Sequence, residues 1–382
     1  MPATRVLIDL TAVPADRGGV GRYVDGVVAA LEGELVLVCQ ARDRDFYREL
    51  APTATILPQN PRISVTPVRL VWEQFVLPLI ARRARVDVIH SPHYTLPLLS
   101  RRPKVVTFHD ATFFSDPGVH TPFKRIFFTA WIRISARLAN VVVVPSEATA
   151  TELSRYVARP PGYIVAYHGV DETVFHPPTA QQLSASKTGL QLGDRPWIAF
   201  LGTIEPRKNV PALVRAYRSL VAGWHAEWGD IPVLALAGGA GWETDLAREL
   251  ALVRPPATVR QLGFVDIGHL DGFLGGSLFV VYPSLGEGFG LPVLEAMSTG
   301  TAVLTTDRLA LPEVGGTAVA YTGVDSTSIE EGMQALIADA GERERLAAAG
   351  LARSRDFTWA RSARTHELAY AQAALTRMVI SK

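Results

Sequence analysis

Residues 282–300 read YPSLGEGFGLPVLEAMSTG. The apolar run ahead of them, 278–281, is short enough for a buried parallel strand, while Pro292 suits the first turn of a helix that Gly300 can close. The pattern is strand, glycine loop, helix. Gly286, Gly288 and Gly290 take three side chains out of a five-residue turn, so backbone N–H groups can approach an anion beside the positive end of the helix. Such a loop, with Phe289 and Leu291 at its exit, suits a phosphate or a sugar. Glu287 stands inside it and Glu295 eight residues on, so both carboxylates can face one ligand. An acid early in a helix is favoured by the macrodipole alone, which would suffice for Glu295. Glu287 sits between glycines with no helix to stabilise and needs another reason.

Working outward, 382 residues exceed one ordinary core and favour two domains, and 48% apolar residues can fill them. With 38 basic against 37 acidic residues, overall charge points to neither a nucleic-acid nor a polyanion binder. Cys39 is the one cysteine; within the apolar run ELVLVCQ it fits a buried thiol in a reducing compartment. MPATRVLIDL enters a strand at once, without a signal-peptide core, and no apolar run is long enough to span a bilayer. The expected address is the cytoplasm.

In chain order, RVLIDL reads as a first strand, and Gly18, Gly19 and Gly21 lead into a helix with Val24, Val27, Val28 and Leu31 on one face. The glycine spacing is wrong for a dinucleotide fingerprint. Further strands fall at ELVLVC, VDVIHS, KVVTFHD and NVVVVPS, with helical patterns between them, which implies a parallel sheet covered on both faces. Ligands of such sheets bind beyond the strand C-termini. There the chain places His90, Ser91 and His93, then His109 and Asp110, then Ser146 and Glu147. A histidine ending an apolar strand is more often structural than catalytic.

Two stretches combine apolar and basic residues. TPFKRIFFTAWIRISARLA, 121–139, is a basic amphipathic helix, and 69–85 with its Arg pair at 82 and 83 is similar. Such a helix can lie on an anionic membrane, but the stripe reads first as the core face of a surface helix, so membrane contact is not favoured. Residues 176–195 are polar and turn-rich and read as a linker. A second strand and helix series then begins at WIAFLGTIEPRKN and runs through VLALAGGAG, VRQLGFV, LFVVYPS, AVLTTD and AVAY. Gly202 and Thr203 end its first strand, and Arg207 and Lys208 follow where a diphosphate would sit, at a strand end before a helix. No Asp-x-Asp string lies beside the glycine loops, and Asp43 and Asp45 sit away from every motif. The final segment, FTWARSARTHELAYAQAAL, reads as helix.

EGFGLPVLEAMSTG, followed by ALPEVGG, resembles the signature of the retaining glycosyltransferases of family four. The resemblance implies the GT-B fold: two Rossmann-like doubly wound α/β domains facing a central cleft, with a C-terminal helix, about 360–382, crossing back to the first. The domains would be 1–175 and 196–359. GGVGRYV resembles the family's N-terminal loop, making Gly19 and Gly21 candidate phosphate neighbours, and VVTFHDATFF resembles its HD position, implying that His109 touches the donor sugar. GTIEPRKN resembles the leaving-group clamp, Arg207 and Lys208. Gly263, Phe264 and Val265 match the segment whose backbone reads the nucleobase; Glu287 would hold sugar hydroxyls and Glu295 the ribose. HGVD, 168–171, resembles the signature before the hinge, with His168 where many members carry Asn. The combination of DLTAV, GGVGRYV, HSPHYTLPL, FHDATFFSDP and GTIEPRKN resembles bacterial mannosyltransferases that use GDP-mannose to build polysaccharides, one such role being α-1,4 transfer in methylmannose polysaccharide. The implied partners are a nucleotide-sugar donor and a saccharide acceptor, with no metal, no further cofactor and no nucleic acid. A UDP-sugar donor, a glycolipid acceptor, a GT-B sugar-nucleotide 2-epimerase and a non-catalytic binding module are the alternatives.

Overall fold

The computed structural model describes residues 4–115, 118, 121–157 and 162–380; Asp116 and Pro117, which follow VVTFHDATFF by two and three residues, and residues 381–382 of the expected C-terminal helix, lie outside them. Contacts divide the chain into one unit of Met1–Gly169 with Thr358–Lys382 and a second of Val170–Phe357.

The first unit carries β1 (Val6–Asp9), β2 (Leu35–Gln40), β3 (Thr55–Gln59), β4 (Val88–Ser91), β5 (Lys104–Thr107), β6 (Val141–Val144) and β7 (Ile164–Val165), all parallel, in the order β3-β2-β1-β4-β5-β6-β7. Its inner strands are mostly apolar because both faces are covered, with Asp9, Gln40, His90, Ser91 and Thr107 toward their C-terminal ends. Val6, Ile8, Leu35 and Leu37 pack with Val24, Val27 and Val28 of the Gly19–Ala30 helix, while Leu7, Val36, Val38 and Ile89 meet Leu77 and Ala81 on the other face. β3 and β7 form the edges; the former holds Pro58, which an edge strand tolerates.

The second unit carries β8 (Trp197–Leu201), β9 (Val233–Ala237), β10 (Val259–Gly263), β11 (Val280–Tyr282), β12 (Val303–Thr306) and β13 (Ala320–Thr322), again parallel, in the order β10-β9-β8-β11-β12-β13. Each unit is thus a doubly wound Rossmann-like sheet. In each the order reverses once, between β1 and β4 and between β8 and β11, and these switch points are where such sheets open a crevice at the strand C-termini.

Two sequence readings change. The supposed linker 176–195 contains a helix, Ala180–Gly189, that belongs to the second unit. It shows almost no apolar periodicity, so composition hid it; a Thr179/Gln182 capping box starts it, and a Cβ on Gly272 would stand 2.3 Å from Ser186 Oγ. The apolar stripe of Pro122–Leu138 is not its core face. Ile132, Ser135 and Ala136 turn inward, while Phe123 and Ile126 are 79% and 66% exposed. Small residues let the helix sit close to the sheet, leaving its bulkier stripe outside.

The C-terminal helix, Trp359–Ile380, is seated in the first unit. A Cβ on Gly26 would lie 2.2 Å from the Trp359 ring, and Asn140 Nδ2 donates to Thr376 Oγ1 at 2.7 Å. Gly26→Ala would ordinarily gain about 1 kcal/mol of helix propensity. Here it is expected to lower Tm in a thermal melt, because overpacking costs about 1–3 kcal/mol. A raised Tm would show that Trp359 does not fill that notch.

Candidate active site

Two turns leaving neighbouring strands of the second unit are tied together. From β8 the chain passes Gly202 and Thr203 into a single 3-10 turn, Pro206–Lys208, and then Asn209 in the left-handed region at φ +58°, with its Nδ2 donating to Val324 O at 2.7 Å. From β11 it passes through Ser284 to the glycine loop and the Leu291–Ser298 helix. Leu285 N donates to Arg207 O at 2.8 Å, and Arg207 Nη1 donates to Gly286 O at 2.8 Å. The loop needs its glycines for two separate reasons. A Cβ on Gly286 would stand 2.7 Å from Leu309 Cδ1, and Gly290 has φ +104° at the helix start. Gly300 at φ +71° follows the end of that helix, as its sequence position suggested.

Glu287 is the centre of this arrangement. Its Oε2 accepts from Arg207 Nη1 at 2.5 Å; its Oε1 accepts from Lys208 Nζ at 2.6 Å, Ser284 Oγ at 2.6 Å and Tyr282 OH at 2.9 Å. Lys208 Nζ also donates to Tyr282 OH, and Arg207 Nη2 donates to Glu205 Oε1 at 2.7 Å. Two cations therefore face two carboxylates in a formally neutral cluster, with Lys208 and Glu287 each 7% exposed. Burial alone would raise the Glu287 carboxyl, but Arg207 and Lys208 hold it down to about 2. Burial and then Arg207 lower the Lys208 ammonium, against the pull of Glu287 and Glu205. Glu287 is thus an ionised acceptor at neutral pH. Its Oε1 is saturated, and Oε2, with one partner, has capacity for one more donor such as a sugar hydroxyl.

Glu295 lies on the Leu291–Ser298 helix one turn beyond the loop, 2% exposed. Phe289 and Leu291 point their side chains into the core, so the loop from Gly288 to Leu291 can meet a ligand only through its backbone. At the end of β10, the far edge strand, Gly263 has φ +66°, Phe264 is exposed and Val265 is buried; Gly238 N donates to Gly263 O at 2.7 Å. The structure therefore brings together Gly202, Thr203, Arg207, Lys208 and the 286–291 loop, with Gly263–Val265 two strands from β8.

In the first unit, Gly19 and Gly21 open the Gly19–Ala30 helix. His109 Nε2 lies 2.7 Å from the Pro92 carbonyl, which can only accept; the proton is on Nε2, and Nδ1 keeps its lone pair. Around it stand His93, His168 and Tyr23, with ring centroids 6.1, 6.4 and 5.1 Å away. Burial lowers His109 from its ordinary value despite the Pro92 bond and Asp110. Sequence reading missed Glu205, Tyr282 and Ser284, and it missed the grouping of five histidines, 90, 93, 109, 168 and 366, in one unit. Tyr282 and Ser284 stand inside the quoted stretch, and Glu205 stands two residues before Arg207.

The model of Glycosyltransferase Family 4 matches residues 17–174, and that of Glycosyl transferases group 1 matches 182–353. Between them they cover most of the chain, which belongs to the GT-B glycosyltransferases of this family. It resembles bacterial mannosyltransferases. O-antigen chain mannosyltransferase B of Escherichia coli is 30% identical over 255 residues, 66% of this chain and 66% of that protein. Serotype-specific mannosyltransferase WbdA of Escherichia coli is 34% identical over 190 residues, 48% of this chain and 23% of that protein. The match thus spans just under two thirds of the first relative and under a quarter of the second. HepE of Anabaena, solved in complex with UDP-glucose, has the same fold, with a TM-score of 0.74 at 16% identity over 98% of this chain and 99% of that one.

Proposed function

We propose that this protein is a retaining hexosyltransferase that moves mannose from GDP-mannose to a hydroxyl of a saccharide acceptor, without a divalent cation. The observation that carries the reading is the pair Arg207 and Lys208, held on the Glu287 carboxylate at the β8/β11 switch point. As the bond from C1 to the diphosphate breaks, negative charge grows on the leaving phosphate, and cations already in place stabilise it without reorganisation. Arg207 offers a planar fork and Lys208 a compact charge. The mannosyl and GDP assignments rest on whole-chain likeness to the bacterial mannosyltransferases.

Retention rests on the resemblance to the retaining family, and the state of Glu287 bears only on its route. A carboxylate engaged by Arg207, Lys208, Ser284 and Tyr282 is a poor covalent nucleophile. The acceptor oxygen then bonds to C1 on the face from which the diphosphate departs, and the acceptor proton passes to a leaving phosphate oxygen. Glu287 Oε2 would accept a donor-sugar hydroxyl, and Glu295 the ribose.

Incubation with labelled GDP-mannose separates transfer or hydrolysis from 2-epimerisation and from binding alone. At equal concentration GDP-mannose is expected to raise Tm more than UDP-glucose, since a ligand at 100 times its Kd stabilises the native state by roughly 2.7 kcal/mol. A larger shift with UDP-glucose would overturn the donor. Turnover is expected to persist in excess EDTA; abolition by EDTA and rescue by Mg²⁺ would show that a metal supplies charge assigned here to Arg207 and Lys208.

A further inference from the structure

The Pro122–Leu138 helix turns an apolar stripe to solvent. At 3.6 residues per turn Phe123, Ile126, Ile134 and Leu138 fall on one side, all exposed, with Phe127 and Trp131 half-buried beside them. Lys124 and Arg133 border that side, and Arg137 lies within it. The consecutive helices Thr66–Phe75 and Leu77–Arg83 repeat the arrangement: Val68, Val71, Phe75 and Leu79 are exposed at spacings of three and four, and Arg82 and Arg83 follow. The segment after β4 joins the two elements. Thr95 Oγ1 donates to Glu73 and Gln74 Nε2 to Leu96 O, while the His93 and Tyr94 rings meet Phe128 with centroids 6.1 and 5.3 Å away. Leu98, whose N donates to Gln74 Oε1, and Leu99 add two more exposed apolar side chains.

Charge on these elements is one-sided. Residues 61–85 hold five arginines and one acid, Glu73, which is buried; residues 121–139 hold Lys124, Arg125, Arg133 and Arg137 and no acid. The chain as a whole balances 38 basic against 37 acidic residues, so this excess is local. Among the described residues no helix is long and apolar enough to cross a membrane.

We infer that this face of the first unit docks on an anionic phospholipid bilayer, with the aromatic and aliphatic side chains entering the interface and the Arg and Lys heads meeting lipid phosphates. Two apolar stripes, each bordered by long basic side chains, supply both attractions such binding needs: buried apolar area and attraction to anionic lipid. A highly charged soluble partner would account for the cations but not for exposed Phe75 and Phe123. The inference is independent of the donor sugar, and its test uses no turnover.

The full chain is floated with vesicles of phosphatidylcholine alone and of phosphatidylcholine mixed with phosphatidylglycerol. Binding is expected only to the mixed vesicles and is expected to weaken as salt is raised. Lys124→Gln combined with Arg133→Gln should weaken it by roughly tenfold or more. Phe123→Ser with Ile126→Ser, both at exposed positions, should abolish it while the circular dichroism spectrum and Tm stay as in the parent. No flotation with the mixed vesicles at low salt overturns the inference, as does equal flotation by parent and variants. Concentration-dependent self-association that the serine variant abolishes, without flotation, would make the face an interface between copies and would equally overturn it.

Discussion

Lys208→Ala is expected to lower kcat/KM by roughly 10²- to 10³-fold, the scale on which deletion of one preorganised donor to a developing anion is felt. The loss should fall on kcat, because the charge Lys208 meets grows only as the bond to the diphosphate breaks. Its structural cost is limited: Glu287 keeps Arg207 on Oε2 and Ser284 and Tyr282 on Oε1. Removing the carboxylate differs in kind. Glu287→Ala leaves Arg207 and the buried Lys208 side by side, and breaking a buried pair in this way costs about 3–5 kcal/mol. Glu287→Ala should therefore lower Tm sharply as well as kcat/KM, whereas Glu295→Ala should act chiefly through KM for the donor. Equal kcat losses for Glu287→Ala and Glu295→Ala, measured below the lower Tm, would sink the assignment of roles. His109→Ala tests separately whether the first unit contributes a group to the reaction. The ion cluster also sets an acid limit. With its carboxyl held near 2 against an ordinary value of about 4.3, Glu287 contributes stability fully present above that ordinary value and lost as pH falls toward 2.

The strand, loop and helix at 278–300 were legible because an apolar run, a glycine cluster and Pro292 are local signals, and Arg207 and Lys208 stood out at a strand end. Their partners were not legible. Glu287 lies 80 residues from Arg207, and the two meet only because β8 and β11 are neighbours across the sheet reversal, which no spacing along the chain encodes. Glu205, Tyr282 and Ser284 stand close in the chain to Arg207 or Glu287, but nothing in their spacing marks them as partners until the two turns meet. The Ala180–Gly189 helix escaped because it buries little and carries no apolar face. Pro122–Leu138 shows the reverse: its pattern gave the helix correctly, but a pattern cannot say which face the fold covers.

The first unit is expected to open before the second as pH falls below about 6.5, the ordinary histidine value. His366, His90 and His168 are buried and neutral, His366 lowered to about 4 by burial and the other two well below their ordinary value, with burial again the main cause. A hydrogen-bond chain fixes that neutral state. His366 Nδ1 lies 2.8 Å from the Ser362 carbonyl, so Nδ1 donates and Nε2 accepts from Tyr23 OH at 2.8 Å. Tyr23 then accepts from Thr107 Oγ1, Thr107 from His90 Nε2, and His90 Nδ1 from Tyr370 OH, each at 2.9 Å. One proton direction satisfies every atom, and an added proton on His366 or His90 forces the facing hydroxyl to turn and accept, which leaves one hydroxyl hydrogen of the chain without its acceptor. The chain links β4, β5 and the Gly19–Ala30 and Trp359–Ile380 helices, so breaking it loosens the seat of the C-terminal helix. For groups whose folded pKa is depressed, stability is present above the unfolded value and lost as pH falls from it. Partly exposed His93, lowered to about 3, and His109 add to the loss. Glu73 opposes it: pushed up to about 8 by burial and then by Asp9, it gains stability as pH falls from 8 toward its ordinary value, and Asp9 and Asp25, raised by burial, act in the same direction nearer theirs. Between pH 6.5 and 5 three or more histidines outweigh one glutamate, a net slope of roughly 3 kcal/mol per pH unit at about 1.4 kcal/mol per proton. Hydrogen exchange followed by mass spectrometry at pH 7, 6 and 5 should show protection lost first in 19–30 and 359–376 and retained in 210–222. Tyr23→Phe, which leaves His366 Nε2 without its donor at a cost of about 1–3 kcal/mol, should move that opening to higher pH. Simultaneous loss in both units, beginning only below pH 4.5, would mean that the carboxylates rather than the buried imidazoles set the acid limit.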